Sequence, residues 1–186
     1  MQGTLRETGH TQPIEGWEHV EPMSMEIRPA READLASMVA LYNPYVSATP
    51  ITFDTAPFTV ESRRPWLEQF AGGRHRLLVA VEDGRLLGYA GSMRFRSKPA
   101  YETSVETTLY VQPDLHRRRI GSSLYEALFA ALRGEDVHRA LAGITLPNTA
   151  SVALHERFGF VKVAHFTEQG RKLGKYWDVG WWEKAI

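Results

Sequence analysis

Tyr110-Val111-Gln112-Pro113-Asp114-Leu115-His116-Arg117-Arg118-Arg119-Ile120-Gly121-Ser122 is the stretch on which the fold turns. An apolar strand, Val105 to Val111, runs into Pro113, and three arginines follow. Gly121 to Leu132 then repeats apolar residues at Leu124, Leu128, Ala131 and Leu132, the spacing of a helix packed on a sheet. A strand that feeds a helix through a basic loop is an anion cradle. The first helical turn has free N–H groups and a partial positive charge, and guanidinium groups add to it. Pyrophosphate suits such a cradle. Taken alone, the arginines read more simply as a solvated basic loop before an ordinary helix.

Outward from this stretch the pattern is a mixed one. Upstream, Leu77 to Val81 and Leu86 to Ala90 flank Glu82-Asp83-Gly84-Arg85, an antiparallel hairpin around a glycine turn. Before it, a short strand runs from Met25 to Pro29, and Asp34 is placed to cap a helix with Leu35, Met38, Val39 and Tyr42 on its apolar side. Pro44 and Pro50 bracket the expected end of that helix, and a second helix is expected over Glu61 to Phe70, broken by Gly72-Gly73. Downstream, a strand at Ala140 to Thr145 and a helix over Asn148 to Phe158, closed by Gly159 as a left-handed cap, precede strands at Val161 to Phe166 and Trp177 to Glu183. The fold class is α/β (α+β): a mixed, mostly antiparallel sheet of about six to seven strands flanked by helices.

Composition narrows the function. Lys plus Arg (22) equals Asp plus Glu (22) in 186 residues, so no global field recruits a polyanion, and neither nucleic acid nor an anionic membrane is an expected partner. The absence of cysteine excludes disulfides, thiolate metal sites and a cysteine nucleophile. No metal is expected. Residues 1–24 lack helical or strand periodicity and an apolar leader core, so they read as a mobile tail or packing arm before a single domain at 25–186. Met23 and Met25 are further candidate starts. With no spanning or export segment in view, the expected location is cytoplasmic.

Three blocks carry a family resemblance. The loop above is followed by Leu146-Pro147-Asn148-Thr149-Ala150-Ser151 and by Leu154-His155-Glu156-Arg157-Phe158-Gly159-Phe160. Together they resemble the acetyl-CoA loop, the Asn-containing turn and the following helix of the GNAT superfamily of N-acetyltransferases. The resemblance is closest to its phosphinothricin and methionine sulfoximine acetyltransferase group. Tyr42-Asn43, Phe53, Ala100-Tyr101, Val105 to Val111 and Lys172 to Gly180 have counterparts there in the same order. It covers the chain from about Glu26 to the C-terminus. The departures are in the loop: His116 stands at the Gln or Arg position, and Arg119 replaces the first Gly. The loop is expected to be right-handed at Arg119, with its guanidinium on phosphate; the alternative is a left-handed Arg119 at a cost of about 1–2 kcal/mol.

The resemblance implies transfer of an acetyl group from acetyl-CoA, as co-substrate, to the amine of a small amino-acid-like acceptor. Phosphinothricin and methionine sulfoximine are such acceptors, and a homodimer is implied. Glu106, on an apolar strand where its pKa should rise, is the candidate base; pairing with Arg94, Arg96 or Lys98 is the structural alternative. His155 is the candidate acid for the leaving sulfur, or else a hydrogen-bonded structural histidine. The coenzyme is expected on Leu109, Tyr110, Val111, Arg117, Arg118, Arg119, Ile120, Gly121, Ser122 and Asn148, with the Leu109 and Val111 N–H groups as donors if the strand is splayed. Arg96, Lys98 and Tyr101 are the expected anion site of the acceptor and Phe53 its apolar wall, although without the resemblance core packing is the first reading of the two aromatics. Acetylation of another amine, such as a protein N-terminus or a polyamine, and a non-catalytic acyl-CoA-binding module are the competing readings.

Overall fold

The computed structural model describes residues 25–115 and 118–186; the expected tail, His116 and Arg117 lie outside the described residues. In chain order the elements are β1 (Glu26–Pro29), α1 (Leu35–Ala48), α2 (Val60–Leu67), β2 (Leu77–Glu82), β3 (Arg85–Arg94), β4 (Ser104–Val111), α3 (Ile120–Leu132), β5 (Arg139–Leu146), α4 (Thr149–Arg157), β6 (Val161–Lys172) and β7 (Lys175–Ala185). The strands form one seven-stranded sheet in the order β1-β2-β3-β4-β5-β7-β6. Every neighbouring pair is antiparallel except β4 with β5. The expected order of elements is the one found.

Both faces of the sheet are covered, which is why β2, β3 and β5 read as apolar runs. Leu124, Tyr125, Leu128 and Leu132 of α3 pack on Val105, Ala140 and Ala142 on one face. On the other, Met38, Leu41 and Tyr45 of α1 meet Leu77, Val79 and Tyr89, with Trp66 of α2 beside them.

Local expectations fail where tertiary packing overrides them. Helix α1 ends at Ala48, between Pro44 and Pro50 as expected, and so carries Pro44 inside it. An interior proline costs about 3 kcal/mol. Burial of Leu41, Tyr45 and Val46 around it offsets that cost. Helix α2 stops at Leu67 rather than Phe70, whose ring turns in to meet Trp66 edge-on at 4.9 Å. Asp34 does not cap α1; its carboxylate instead takes the Arg28 guanidinium at 2.7 and 2.8 Å and the Arg31 N–H at 2.7 Å. Gly159 is left-handed (φ 83°), as expected, and closes α4.

Candidate active site

The centre of the sheet opens where β4 and β5 part. They pair only from Ser104↔Arg139 to Glu106↔Leu141, although both strands continue for several residues. On its other side β4 stays paired with β3 up to Val111↔Gly88, and Gln112 N–H donates to Leu87 C=O at 2.8 Å. Backbone groups alternate sides along a strand, so Tyr110, Thr108 and Glu106 turn theirs to β3, while Thr107, Leu109 and Val111 turn theirs into the opening. The Val111 carbonyl there is taken by the Tyr45 hydroxyl at 2.6 Å. The N–H groups of Leu109 and Val111 are left as donors at the mouth of a cleft.

That cleft, about 420 Å³, is lined by Leu109, Tyr110, Val111, Arg119, Ile120, Gly121, Ser122, Asn148 and His155 among others. It therefore gathers most of the residues expected to hold the coenzyme. A recess of about 70 Å³ between the parted strands continues it past His155 to Thr108, Tyr125 and Thr145. At the start of α3 the first intrahelical bond is Ser123 N–H to Arg119 C=O (2.9 Å). The N–H groups of Ile120, Gly121 and Ser122 are thus the unpaired donors of a helix start, aimed at the cleft they line.

Two arginines depart from expectation. Arg119 is left-handed (φ 60°, ψ 8°), not right-handed. It stands where the resemblance has glycine, and the turn into α3 imposes a glycine conformation on it. Arg118 does not line the cleft; its Nη2 sits on Glu82 at 2.9 and 3.0 Å. Asn148 lines it while capping α4, its Oδ1 accepting from Ser151 N–H at 3.1 Å.

Glu106 projects from the opposite face of β4, where strand alternation groups it with Thr108 and Tyr110. Its carboxylate has no hydrogen bond or ion pair among the described residues. Burial raises its pKa, and the Arg96 guanidinium partly opposes that rise. The alternative of a paired strand carboxylate is not realised there: Arg94 is spent on the carbonyls of Arg96 (2.9 Å) and Ser97 (2.5 Å). Arg96 and Lys98 are exposed on the loop after β3. The Arg96 guanidinium lies 4.8 Å from the Phe95 ring centre, and Phe95 meets Tyr101 and Trp181 edge-on, both at 5.9 Å. Tyr101 and Phe53 are both substantially exposed, so neither is a core residue. Phe53 lies against Gly170 of β6, where a Cβ would collide with its ring.

His155 is buried, with both ring nitrogens engaged. Nδ1 lies 2.7 Å from the Ser151 carbonyl, which only accepts, so Nδ1 carries the proton. Nε2 then accepts from the Tyr125 hydroxyl at 2.8 Å. Burial lowers the pKa of His155, against a smaller opposing effect of the Ser151 bond, and keeps the imidazole neutral. Tyr125 was not singled out in the sequence because its spacing on α3 is that of a core residue. The Tyr45 tie to Val111 spans 66 positions and leaves no local signal.

This architecture, a sheet parted at its centre with a helix start aimed into the gap, belongs to an acyl-transfer fold. The Acetyltransferase (GNAT) family pattern matches residues 37–160, and the chain belongs to that family as an N-acetyltransferase. It is 55% identical to phosphinothricin N-acetyltransferase of Streptomyces coelicolor over 165 residues, 87% of this chain and 96% of that protein. It is 32% identical to the L-methionine sulfoximine/L-methionine sulfone acetyltransferase of Pseudomonas paraeruginosa, over 84% of this chain and 92% of that one. Among solved structures, a GNAT superfamily phosphinothricin acetyltransferase of Sinorhizobium meliloti in complex with AcCoA superposes with a TM-score of 0.83. It is 25% identical and covers 88% of this chain and 89% of its own.

Proposed function

We propose that the chain acetylates the α-amine of a small amino acid bearing an anionic or strongly polar side group, phosphinothricin or methionine sulfoximine being such compounds, with acetyl-CoA as donor. The observation that carries this is the parted β4–β5 pair, with backbone donors and a helix start on one face and, on the other, a half-buried carboxylate unpaired among the described residues. Acetyl-CoA fits the cleft. The Ile120, Gly121 and Ser122 N–H groups hold its pyrophosphate, Val111 N–H meets the pantetheine amide, and Leu109 N–H faces the thioester oxygen as it gains charge. Glu106 takes a proton from the acceptor ammonium, directly or through water. Neutral His155 acts as a relay: through the Tyr125 hydroxyl its Nε2 takes up the proton that the amine nitrogen loses as the new C–N bond forms, and returns it by the same route to the departing sulfur. Names of relatives that act on phosphinothricin and methionine sulfoximine support the acceptor class.

Arg96 sits beside Glu106 on the acceptor side and supplies the charge that selects an anionic group. Losing a direct guanidinium contact to an oxyanion costs about 1.5–3 kcal/mol, so Arg96→Ala should raise the acceptor KM about tenfold or more for phosphinothricin. An uncharged amine should be barely affected. Steady-state kinetics on both acceptors test this; equal effects on the two would remove Arg96 from the acceptor site. The exposed apolar residues Val161, Val163 and Phe166 on the edge strand β6 support a homodimer.

A further inference from the structure

Lys172 ends β6 with only 6% exposure, and no other lysine or arginine among the described residues is buried to that degree. Its ammonium makes no direct ion pair among the described residues; Nζ donates to the Thr52 carbonyl at 2.7 Å and, more weakly, to the Tyr45 carbonyl at 3.4 Å. An aliphatic side chain would fill the same space without desolvating a charge, so the amine is held there for its hydrogen bonds.

Those bonds join two parts of the molecule. Residues 49–59 connect α1 to α2 and are tied back to α1 at several points. The Thr49 hydroxyl donates to Tyr45 C=O at 2.8 Å, and the Tyr42 hydroxyl bonds to Thr52 Oγ1 and Asp54 Oδ2, each at 2.5 Å. Asn43 clamps Phe58 through both its N–H and C=O at 2.9 Å. All of these come from α1. The contacts with the β6–β7 hairpin are the Lys172 bond to Thr52 and the Phe53 ring on Gly170. Next to Thr52 in the chain is Ile51, which lines both the cleft and the recess of the parted strands.

We infer that Lys172 is a positioning residue for acceptor binding: it pins the 49–59 connection to the hairpin and thereby fixes Ile51 and Phe53 at the rim of the site. The inference rests on the acceptor reading above for its kinetic consequence, but the pin itself is a contact within this chain. Lys172 touches no reacting atom, so its loss should loosen the rim and leave the chemical step intact.

Two measurements on the full-length protein separate these parts. Hydrogen exchange without ligand compares wild type with Lys172→Met. Losing a charge-assisted bond should speed exchange of the 50–55 amides about tenfold or more, with β2 unchanged. Steady-state kinetics on the same proteins should show the acceptor KM rising about tenfold with kcat within about threefold, and Lys172→Arg, which keeps the charge and the donors, should recover most of the affinity. If Lys172→Met does not fold, Lys172→Gln takes its place with the same expectations. Unchanged exchange at 50–55 overturns the pin. A fall in kcat with unchanged acceptor KM overturns the positioning role. A wild type that turns over no amino acid would sink the acceptor reading alone, because the exchange arm still tests the pin.

Discussion

A carboxylate withdrawn from water without a hydrogen-bond or ion-pair partner is costly to ionise, and half-buried Glu106 is such a group among the described residues, its pKa raised by desolvation more than Arg96 lowers it. Because the folded-state value lies above the unfolded one, the folded protein binds this proton more tightly. The contribution to stability is greatest at low pH and is lost as pH rises through the raised value. Glu106→Gln should therefore raise Tm near pH 7 while lowering kcat about 10²–10⁴-fold, the worth of a general base, with partial recovery at high pH where free amine accumulates. Calorimetry and a pH–rate profile check the pair; a lower Tm with an unchanged rate would make Glu106 structural. Arg119 is the other informative residue. Held at φ 60°, it carries a strain that Arg119→Gly would relieve, less the entropy that glycine adds to the unfolded chain. The net should be about 0.5–1 kcal/mol, a Tm gain of about 1–4 °C by thermal melting. The departure from glycine was plain in the sequence, whereas its handedness was not, because backbone sign is set by the turn the neighbours impose.

At the scale of an element, the start of α3 is the part of the site most open to test. A Cβ at Gly121 would stand 3.5 Å from Leu109 and Leu154, ordinary contact, so Gly121→Asp fits. An acidic residue in a first helical turn also favours the helix, so the protein should fold with Tm unchanged or slightly raised. The same carboxylate would lie among the donors for pyrophosphate and should weaken acetyl-CoA binding at least about tenfold by titration calorimetry. Unchanged affinity would remove the cradle. This element was readable in advance because a strand, a basic loop and a 3.6-residue apolar repeat are local patterns. The end of helix α1 was bracketed by Pro44 and Pro50 but not fixed within them, because burial of Leu41, Tyr45 and Val46 by distant strands carries the helix through Pro44 to Ala48.

Across the whole molecule, β6 is an edge of the sheet, and its outer residues Val161, Val163 and Phe166 are exposed. Such an edge is a template for another chain. Under the homodimer proposal, Val163→Asp should shift a dimer to monomer in sedimentation velocity without a change in far-ultraviolet circular dichroism. A monomeric wild type would end that proposal. The sequence by itself determined the order of helices and strands, whereas the α3 start as an anion site and Glu106 and His155 as candidate groups rested on the family resemblance that the loop, the Asn148 turn and the following helix carry. Periodicity and glycine punctuation are local properties, and the order of elements depends on little else. The tertiary structure alone decided that β4 and β5 part after Glu106↔Leu141, that Glu106 goes unpaired among the described residues and that both nitrogens of His155 are spent. It also decided that Lys172 reaches Thr52 across 120 positions. Each of those facts depends on which distant groups the folded chain brings to a buried polar atom, and the chain's own neighbourhood in sequence carries no record of that.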